Sequence, residues 1–404
     1  MAQHVSRSKY YRNLTIWEIT NQTEEQARET FTLMRWGSLT TMPCPECGVV
    51  DKALLLCCIN QKYANKRLYF FEKLRLLGWQ FSATFQPASA INFICATKPV
   101  DNHYRRTSRH QWCCKSCSRV FSVTTGTPFQ NRRLPFKKLL LLLYLWCTEP
   151  KDLAANRICG PLGVTYRTAF QNLGKVREAI FLTQDLTPLS GVVQIDGGHF
   201  CGKPRRPRFR NKMTTAMANH YLRNRKASIV PLKAGALIER WNKEKLKNRR
   251  IVLFLRQIKP YKRIITVVVT AETRQYVLPV IQKYVVKGST VQTDDGGAYS
   301  SLAAWYNHEV VRHSETYCTL EGFHNNYAES LFSRMRRGEY GVHHGMRPQY
   351  LAFFAATVAR LEMMRKQSLW EKFNDLCHRV LSCDISLAFR RYCQGHRLGF
   401  EYLG

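Results

Sequence analysis

Three acidic residues in separate parts of the chain, Asp196, Asp294 and Glu329, have the surroundings that phosphoryl chemistry requires. Asp196 ends the apolar run of GVVQIDGGHF, Asp294 ends that of STVQTDDGGAY, and Glu329 lies in HNNYAESLFSRMRRG, a stretch of helical pattern. Attack on a phosphodiester adds an oxygen to an already anionic phosphorus, and two divalent ions about 3.5–4 Å apart activate the nucleophile and stabilise the leaving oxygen. Carboxylates are hard oxygen ligands suited to Mg²⁺, which binds few of them and keeps its other positions for water and phosphate. Any one of the three reads equally well as a surface acid. Two at strand ends and one on a helix read together as a cation site for cutting nucleic acid.

The intervening pattern shows how they meet. After VVQID come the β-rich runs IVLFLRQI from Ile251 and RIITVVVT from Arg263, then a helix over residues 273–286 with Tyr276, Val280 and Tyr284 at helical spacing. The strand TVQTD, a short helix over residues 299–306, the strand EVVRHS from Glu309 and the Glu329 helix complete the order β-β-β-α-β-α-β-α. That order predicts an α/β fold, a ribonuclease-H-like mixed sheet flanked by helices, with the first strand central and the fourth beside it.

Charge points to a polyanionic partner. The 404 residues carry 62 Lys and Arg against 28 Asp and Glu, a formal net charge of +34, which favours nucleic acid through counterion release. The densest stretch, residues 203–250, holds sixteen Lys or Arg, among them Lys203, Arg205, Arg206 and Arg208, against two acids, Glu239 and Glu244. It interrupts the sheet between its first two strands and reads as a flexible basic insertion or as a clamp on DNA beside Asp196. Apolar residues at 45% exclude general disorder, and the length allows two or three domains. The first residues lack the apolar core of a signal peptide, and the apolar run 139–146 is far shorter than the roughly 20 residues that span a bilayer, so the expectation is a cytoplasmic protein with no membrane partner.

Fifteen cysteines in such a protein argue for reduced thiols and metal ligands. CPEC (Cys44, Cys47) and CKSC (Cys114, Cys117) have the spacing of two knuckles closing one tetrahedral, structural Zn²⁺ site, with Cys57, Cys58 and Cys113 as alternative ligands. The 66 residues between the knuckles exceed a compact ribbon's loop and imply an insertion at about 52–103. Further on, residues 151–180 show two helical patterns separated by Gly160, Pro161 and Gly163, readable as an αα-hairpin or as a helix-turn-helix whose second helix would present Arg167, Gln171 and Lys175 to DNA.

At this point a resemblance covers residues 24–366. FTLMRWGSLTTMPCPECG, CKSCSRVFSVTTGTPFQNRRLPFKKLLLLLYL, LGVTYRTAFQNLGKVREAI, QIDGGHFCGK, TDDGGAYSSL, VRHSETY and HNNYAESLFSRMRRGEYGVHH are similar to the successive motifs of bacterial insertion-sequence DDE transposases of the zinc-ribbon-bearing branch. The resemblance implies a metal-dependent transposase with Mg²⁺ or Mn²⁺ on Asp196, Asp294 and Glu329, Zn²⁺ in the ribbon, element ends and target DNA as partners, a homo-oligomer in the transposition complex, and a nucleoid-associated location. The second acid falls on Asp294 rather than Asp295. Gly197 stands where the family often has an acid, and Arg336 where it often has Lys; Arg336 and Arg337 read as phosphate ligands or as a basic helix end favourable to the dipole. Relatives with Asn at the third position leave Asn325 and Asn326 as alternatives to Glu329. A related nuclease or resolvase without joining, and a zinc-ribbon regulator with a degenerate catalytic fold, are the competing readings. The expected organisation is an N-terminal zinc-ribbon-like region (1–130), a helix-turn-helix-like region (131–186), the catalytic domain (187–368) and a C-terminal tail (369–404).

Neutralising the basic residues of the 203–250 stretch to Gln is expected to weaken binding to all duplexes alike and to flatten the salt dependence of log K by about 0.9 for each phosphate that is no longer neutralised. Affinity measured across a salt series on two unrelated DNA sequences checks this, and an unchanged slope refutes the clamp.

Overall fold

The computed structural model describes residues 10–49, 53–55, 111–114, 116–201, 248–311 and 326–404. Most of the 52–103 insertion lies outside them, as do Cys57, Cys58, Lys203, Arg205, Arg206, Arg208 and Asn325. The chain divides into two compact units, one of Thr15–Leu143 with Asn374–Ile385, the other of Met1–Leu14, Tyr144–Phe373 and Ser386–Gly404.

In the first unit, α1 (Ile16–Thr20) and α2 (Glu24–Trp36) each begin with a capping box, Thr15 with Glu18 and Thr23 with Gln26, which satisfies otherwise orphaned N–H groups. Strands β1 (Ala53–Leu55), β2 (Trp112–Cys114) and β3 (Val120–Phe121) form a small antiparallel sheet in that order. Its core is aromatic: the Phe31 ring meets Phe129 and Phe136, and Trp36 meets Trp112 edge-on at 5.3 Å. Glu24 accepts from the backbone N–H groups of Phe136 (2.6 Å) and Lys137 (3.1 Å), a carboxylate placed at the positive end of α3 (Phe136–Thr148). The apolar run 139–146 belongs to this helix, where Leu139, Leu140, Leu142, Leu143 and Trp146 are buried. No helix among the described residues is long and apolar enough to cross a membrane.

The second unit opens with α4 (Ala155–Leu162), left-handed Gly163 and α5 (Tyr166–Leu182), which Thr165 caps. Then come β4 (Val192–Phe200), β5 (Arg250–Lys259), β6 (Arg263–Val269), α6 (Arg274–Tyr284), β7 (Thr290–Asp294) and β8 (Asn307–Val311), followed by α7 (Asn326–Arg337) and α8 (Pro348–Met363); most of the next helix, α9 (Leu369–Ser382), is counted with the first unit. The sheet order is β6-β5-β4-β7-β8, with β4 antiparallel to β5 and parallel to β7. This is the ribonuclease-H-like arrangement expected from the strand pattern. Period-two alternation buries both faces. Val193, Ile195 and Val291 pack with Val277 and Ile281 of α6, while Phe200, Val252 and Phe254 pack with Leu331, Phe332 and Met335 of α7 and with Leu351 and Phe353 of α8.

Two local expectations change. The stretch 299–306 forms two short 3₁₀ turns, Gly297–Tyr299 and Leu302–Ala304, instead of one helix. Asp196 does not end its strand: β4 runs on to Phe200, paired with β5 throughout. Gly197 and Gly198 both serve close packing, because a Cβ at Gly198 would overlap the Phe332 ring and one at Gly197 would overlap the Glu272 carboxylate.

A buried ionic cluster joins the start of this unit to its later turns. Arg177 of α5 pairs with Asp152 at 2.9 Å, donates to the Leu153 carbonyl at 2.6 Å and lies 4.6 Å from the centre of the Phe354 ring, and His343 Nε2 is 3.0 Å from the same Asp152 oxygen. Burial works to raise the Asp152 carboxyl, yet Arg177 and His343 outweigh it and hold it below its ordinary value. Its contribution to stability is therefore complete above the ordinary carboxylate range and is lost as pH falls through the depressed value. Arg177→Ala, which leaves a buried carboxylate unpaired, is expected to cost about 3–5 kcal/mol at neutral pH, measured by denaturant unfolding, with a smaller difference from the parent in strong acid.

Candidate active site and metal centre

The central strand and its parallel neighbour set the first two acids level. Val192, Val193 and Gln194 pair with Thr290, Val291 and Gln292, and Asp196 and Asp294 each lie two residues beyond the last of those pairs. Side chains two apart share a face, so each acid sits above a glutamine. Gln194 donates to Gln292 at 3.0 Å and Gln292 to Glu309 of β8 at 2.9 Å, a polar ladder across three strands directly beneath the acids. Neighbouring strands lie about 4.8 Å apart, a spacing that two carboxylates sharing cations can bridge. Both acids are half-buried. Asp196 accepts from the Gly197 N–H at 2.8 Å and Asp294 from the Gly296 N–H at 3.3 Å. An oxygen-only donor set of this kind fits Mg²⁺ or Mn²⁺.

A further acid stands here that the sequence pattern did not single out. Glu272, in the loop between β6 and α6, lays its carboxylate against Gly197, accepts from the Tyr299 hydroxyl at 2.9 Å and comes within 3.8 Å of His199 Nε2. Burial raises its pKa, the Tyr299 hydrogen bond opposes this and Asp294 adds to it. Tyr299, buried at the same place, is pushed well above its ordinary range by burial and by the charges of Glu272, Asp196 and Asp294. His199 is lowered by burial and by Arg249 and Arg336. A lone loop acid carries no periodic signal, and only the glycine opposite it gives a hint.

On the other side of β4, a cleft of about 920 Å³ is lined by Asp196, Gly197, Phe332, Ser333, Arg336, Arg337, Lys151 and the turn at Tyr340 and Gly341. Arg336 and Arg337 are exposed in the last turn of α7, so cations border the strand that carries Asp196. Glu329 and Asn326 belong to the first turns of the same helix.

The four knuckle cysteines converge. Cys44 Sγ lies 3.7 Å from Cys117 Sγ, and Cys47 Sγ lies 3.6 Å from Cys114 Sγ, with all four sulfurs within 4.8 Å of one another. Zn–S bonds of about 2.3 Å in a tetrahedron require sulfurs about 3.8 Å apart, so the thiols fit Zn²⁺. The two turns match: Gly48 donates to the Cys44 carbonyl at 2.9 Å and Ser118 to the Cys114 carbonyl at 2.8 Å, both with left-handed backbone, φ 70° and φ 56°. The Cys117 N–H draws the Cys114 thiol down to about 7, while Cys117, despite the Arg119 N–H, is pushed up to about 12 by burial and the other three thiols, as expected where four thiols crowd together.

The expected DNA-reading face of α5 is only partly exposed. Arg167 faces solvent, but Gln171 accepts from the Cys393 N–H at 3.2 Å, and Lys175 is buried, its pKa lowered by burial against the opposing charge of Glu178. From Leu173 to Ile180 every residue of this helix is buried, because α4, α8 and the turn after Arg391 all pack on it. Helical spacing alone does not distinguish such a helix from one with a free face.

Residues 188–359 match the family model of the ISXO2-like transposase domain. No curated protein matches the sequence. The match spans the whole sheet, all of the cleft's lining except Lys151, and helices α6 and α7 with most of α8, so this part of the chain is similar to that domain.

One tightly held Zn²⁺ per chain is expected. Metal analysis after dialysis should show Cys44→Ser and Cys117→Ser each losing it, because structural zinc of this kind contributes roughly 10–16 kcal/mol at neutral pH and depends on all four ligands. Full occupancy in both variants would remove these thiols from the ligand set.

Proposed function

We propose that the chain is an insertion-sequence transposase that binds the ends of its element, hydrolyses DNA there and joins the freed 3′-OH to target DNA, with Asp196, Asp294 and Glu329 as its metal ligands. The observation that carries this reading is the register of β4 and β7, which sets two half-buried carboxylates side by side, the first of them, Asp196, lining a cleft with Arg336, Arg337 and Lys151. Position 329 supports the third assignment, since it precedes Ser333 and Arg336 by four and seven residues and so shares their helix face. Mg²⁺ or Mn²⁺, when bound, would supply Lewis acidity at the attacking and leaving oxygens. The carboxylates hold position, Arg336 and Arg337 orient phosphate, and the packed helices on both faces keep the acids in place.

Binding of element ends is assigned to the zinc-ribbon region and to the exposed start of α5 at Arg167, with the 203–250 stretch adding affinity without sequence preference. The cutting and joining steps are both in-line displacements at phosphorus, so one site serves both, and the working form is a homo-oligomer that brings two ends together.

Asp196→Asn and Asp294→Asn are each expected to lower cleavage by about a hundredfold or more, the loss of several kcal/mol of charge stabilisation, while binding of the same duplex persists. Glu329→Gln should be as damaging and Asn326→Ala far less so. Cleavage and strand transfer are measured with Mg²⁺ and with Mn²⁺ on duplexes from the two ends of the DNA segment that encodes this chain. Parent-like cutting by either Asp variant refutes the assignment, and cutting without joining by the parent favours the nuclease reading.

A further inference from the structure

The turn that follows α7 inverts the usual distribution of side chains. Glu339, a carboxylate, is 3% exposed, while the next residue, Tyr340, is 55% exposed. The buried carboxylate has a fixed partner, and the exposed ring beside it borders a cleft, which means either a loose turn or one that holds the ring there. Looseness is not the explanation. Gly338–Val342 forms a π-helical turn, an irregularity that occurs often at functional sites, and it is fastened at several points. Glu339 accepts from the Cys201 N–H at 3.1 Å, at the end of the strand that carries Asp196. The His343 N–H reaches the Gly338 carbonyl at 2.9 Å, the Gly345 N–H reaches the Glu339 carbonyl at 2.9 Å, and the His343 ring holds the buried Asp152. Tyr340 is thus an outward ring on a turn held from beneath, and it lines the same cleft as Asp196, Arg336, Arg337 and Lys151.

An aromatic ring beside cations is how proteins hold unpaired nucleotides, the cations on the backbone and the ring on a base face. Resting on the transposase reading above, we infer that Tyr340 is a substrate-positioning residue that stacks on a nucleobase next to the scissile phosphate. The base leaves the duplex stack, its phosphate lies between Arg336 and Arg337, and the fixed turn sets its distance from Asp196. A ring on a rigid turn loses little freedom on binding, which is why the fastening beneath it matters.

Duplexes from the ends of the encoding DNA segment, with 2-aminopurine placed in turn at each base beside the cleavage point, report stacking through their fluorescence in Ca²⁺, and cleavage is followed in Mg²⁺. The parent should change the signal at one position. Tyr340→Ala should lose that change and cut about ten- to a hundredfold more slowly, matching the removal of one base–aromatic stack, while Tyr340→Trp rescues both. Asp196→Asn should abolish cutting yet keep the fluorescence change. A Tyr340→Ala protein that keeps the signal and the parent's rate overturns the inference alone, as does failure of Tyr340→Trp to rescue despite an unchanged melting temperature. A parent that neither binds nor cuts these duplexes overturns the transposase reading with it.

Discussion

The parallel register of β4 against β7 is the constraint on which the rest of this molecule depends. A slip of one residue would turn Asp294 to the opposite face and carry the buried Val291 with it. Three features oppose such a slip. Both faces of the sheet are covered, so every inward residue is committed to a packed layer. The Gln194, Gln292 and Glu309 side chains bond across the strands just beneath the acids, and buried amides of this kind lose their partners if the register shifts. The third lies at Gly198, where the absent side chain lets Phe332 of α7 press on the central strand and carries the helix that bears Glu329.

The distribution of acids follows from the same logic. In a chain with a net charge of +34, the few carboxylates do two kinds of work. Asp152, Glu178 and Glu339 are buried and matched to Arg177, to the N–H groups of Leu387 and Ala388, and to the N–H of Cys201, so each fastens one segment to another. Asp196, Asp294 and Glu272 gather at the sheet's open end, where burial, with the charge of Asp294 added, raises Glu272. Buried acids with fixed partners hold the frame, and crowded acids at its rim suit a cation.

Strand order, the central place of the Asp196 strand and the four-cysteine cluster were legible in the sequence because each rests on a strong local signal: continuous apolar runs for strands buried on both faces, and CxxC spacing for the thiols. What the sequence did not disclose depends on contacts between distant segments. Nothing local to Gly197 and Gly198 shows that Glu272 and Phe332 press against them. Lys175 sits at the right spacing for a DNA-facing position until α8 covers its helix. Tyr340 looks like any tyrosine in a basic, glycine-rich stretch, and only the buried Glu339 before it shows that the turn is anchored.

The antiparallel pairing of β4 with β5 closes at Phe200 and Arg250, the two residues that bracket the basic stretch. The ends from which that stretch leaves and re-enters the sheet are therefore neighbours on paired strands, and the entropy of joining two such ends grows only slowly with the length between them. In evolutionary terms, paired ends of this kind favour a point of insertion, since the register that aligns the acids is set by β4, β5 and β7 themselves. On the function proposed above, a lineage gains there a place to vary its basic charge apart from the strands that carry Asp196 and Asp294.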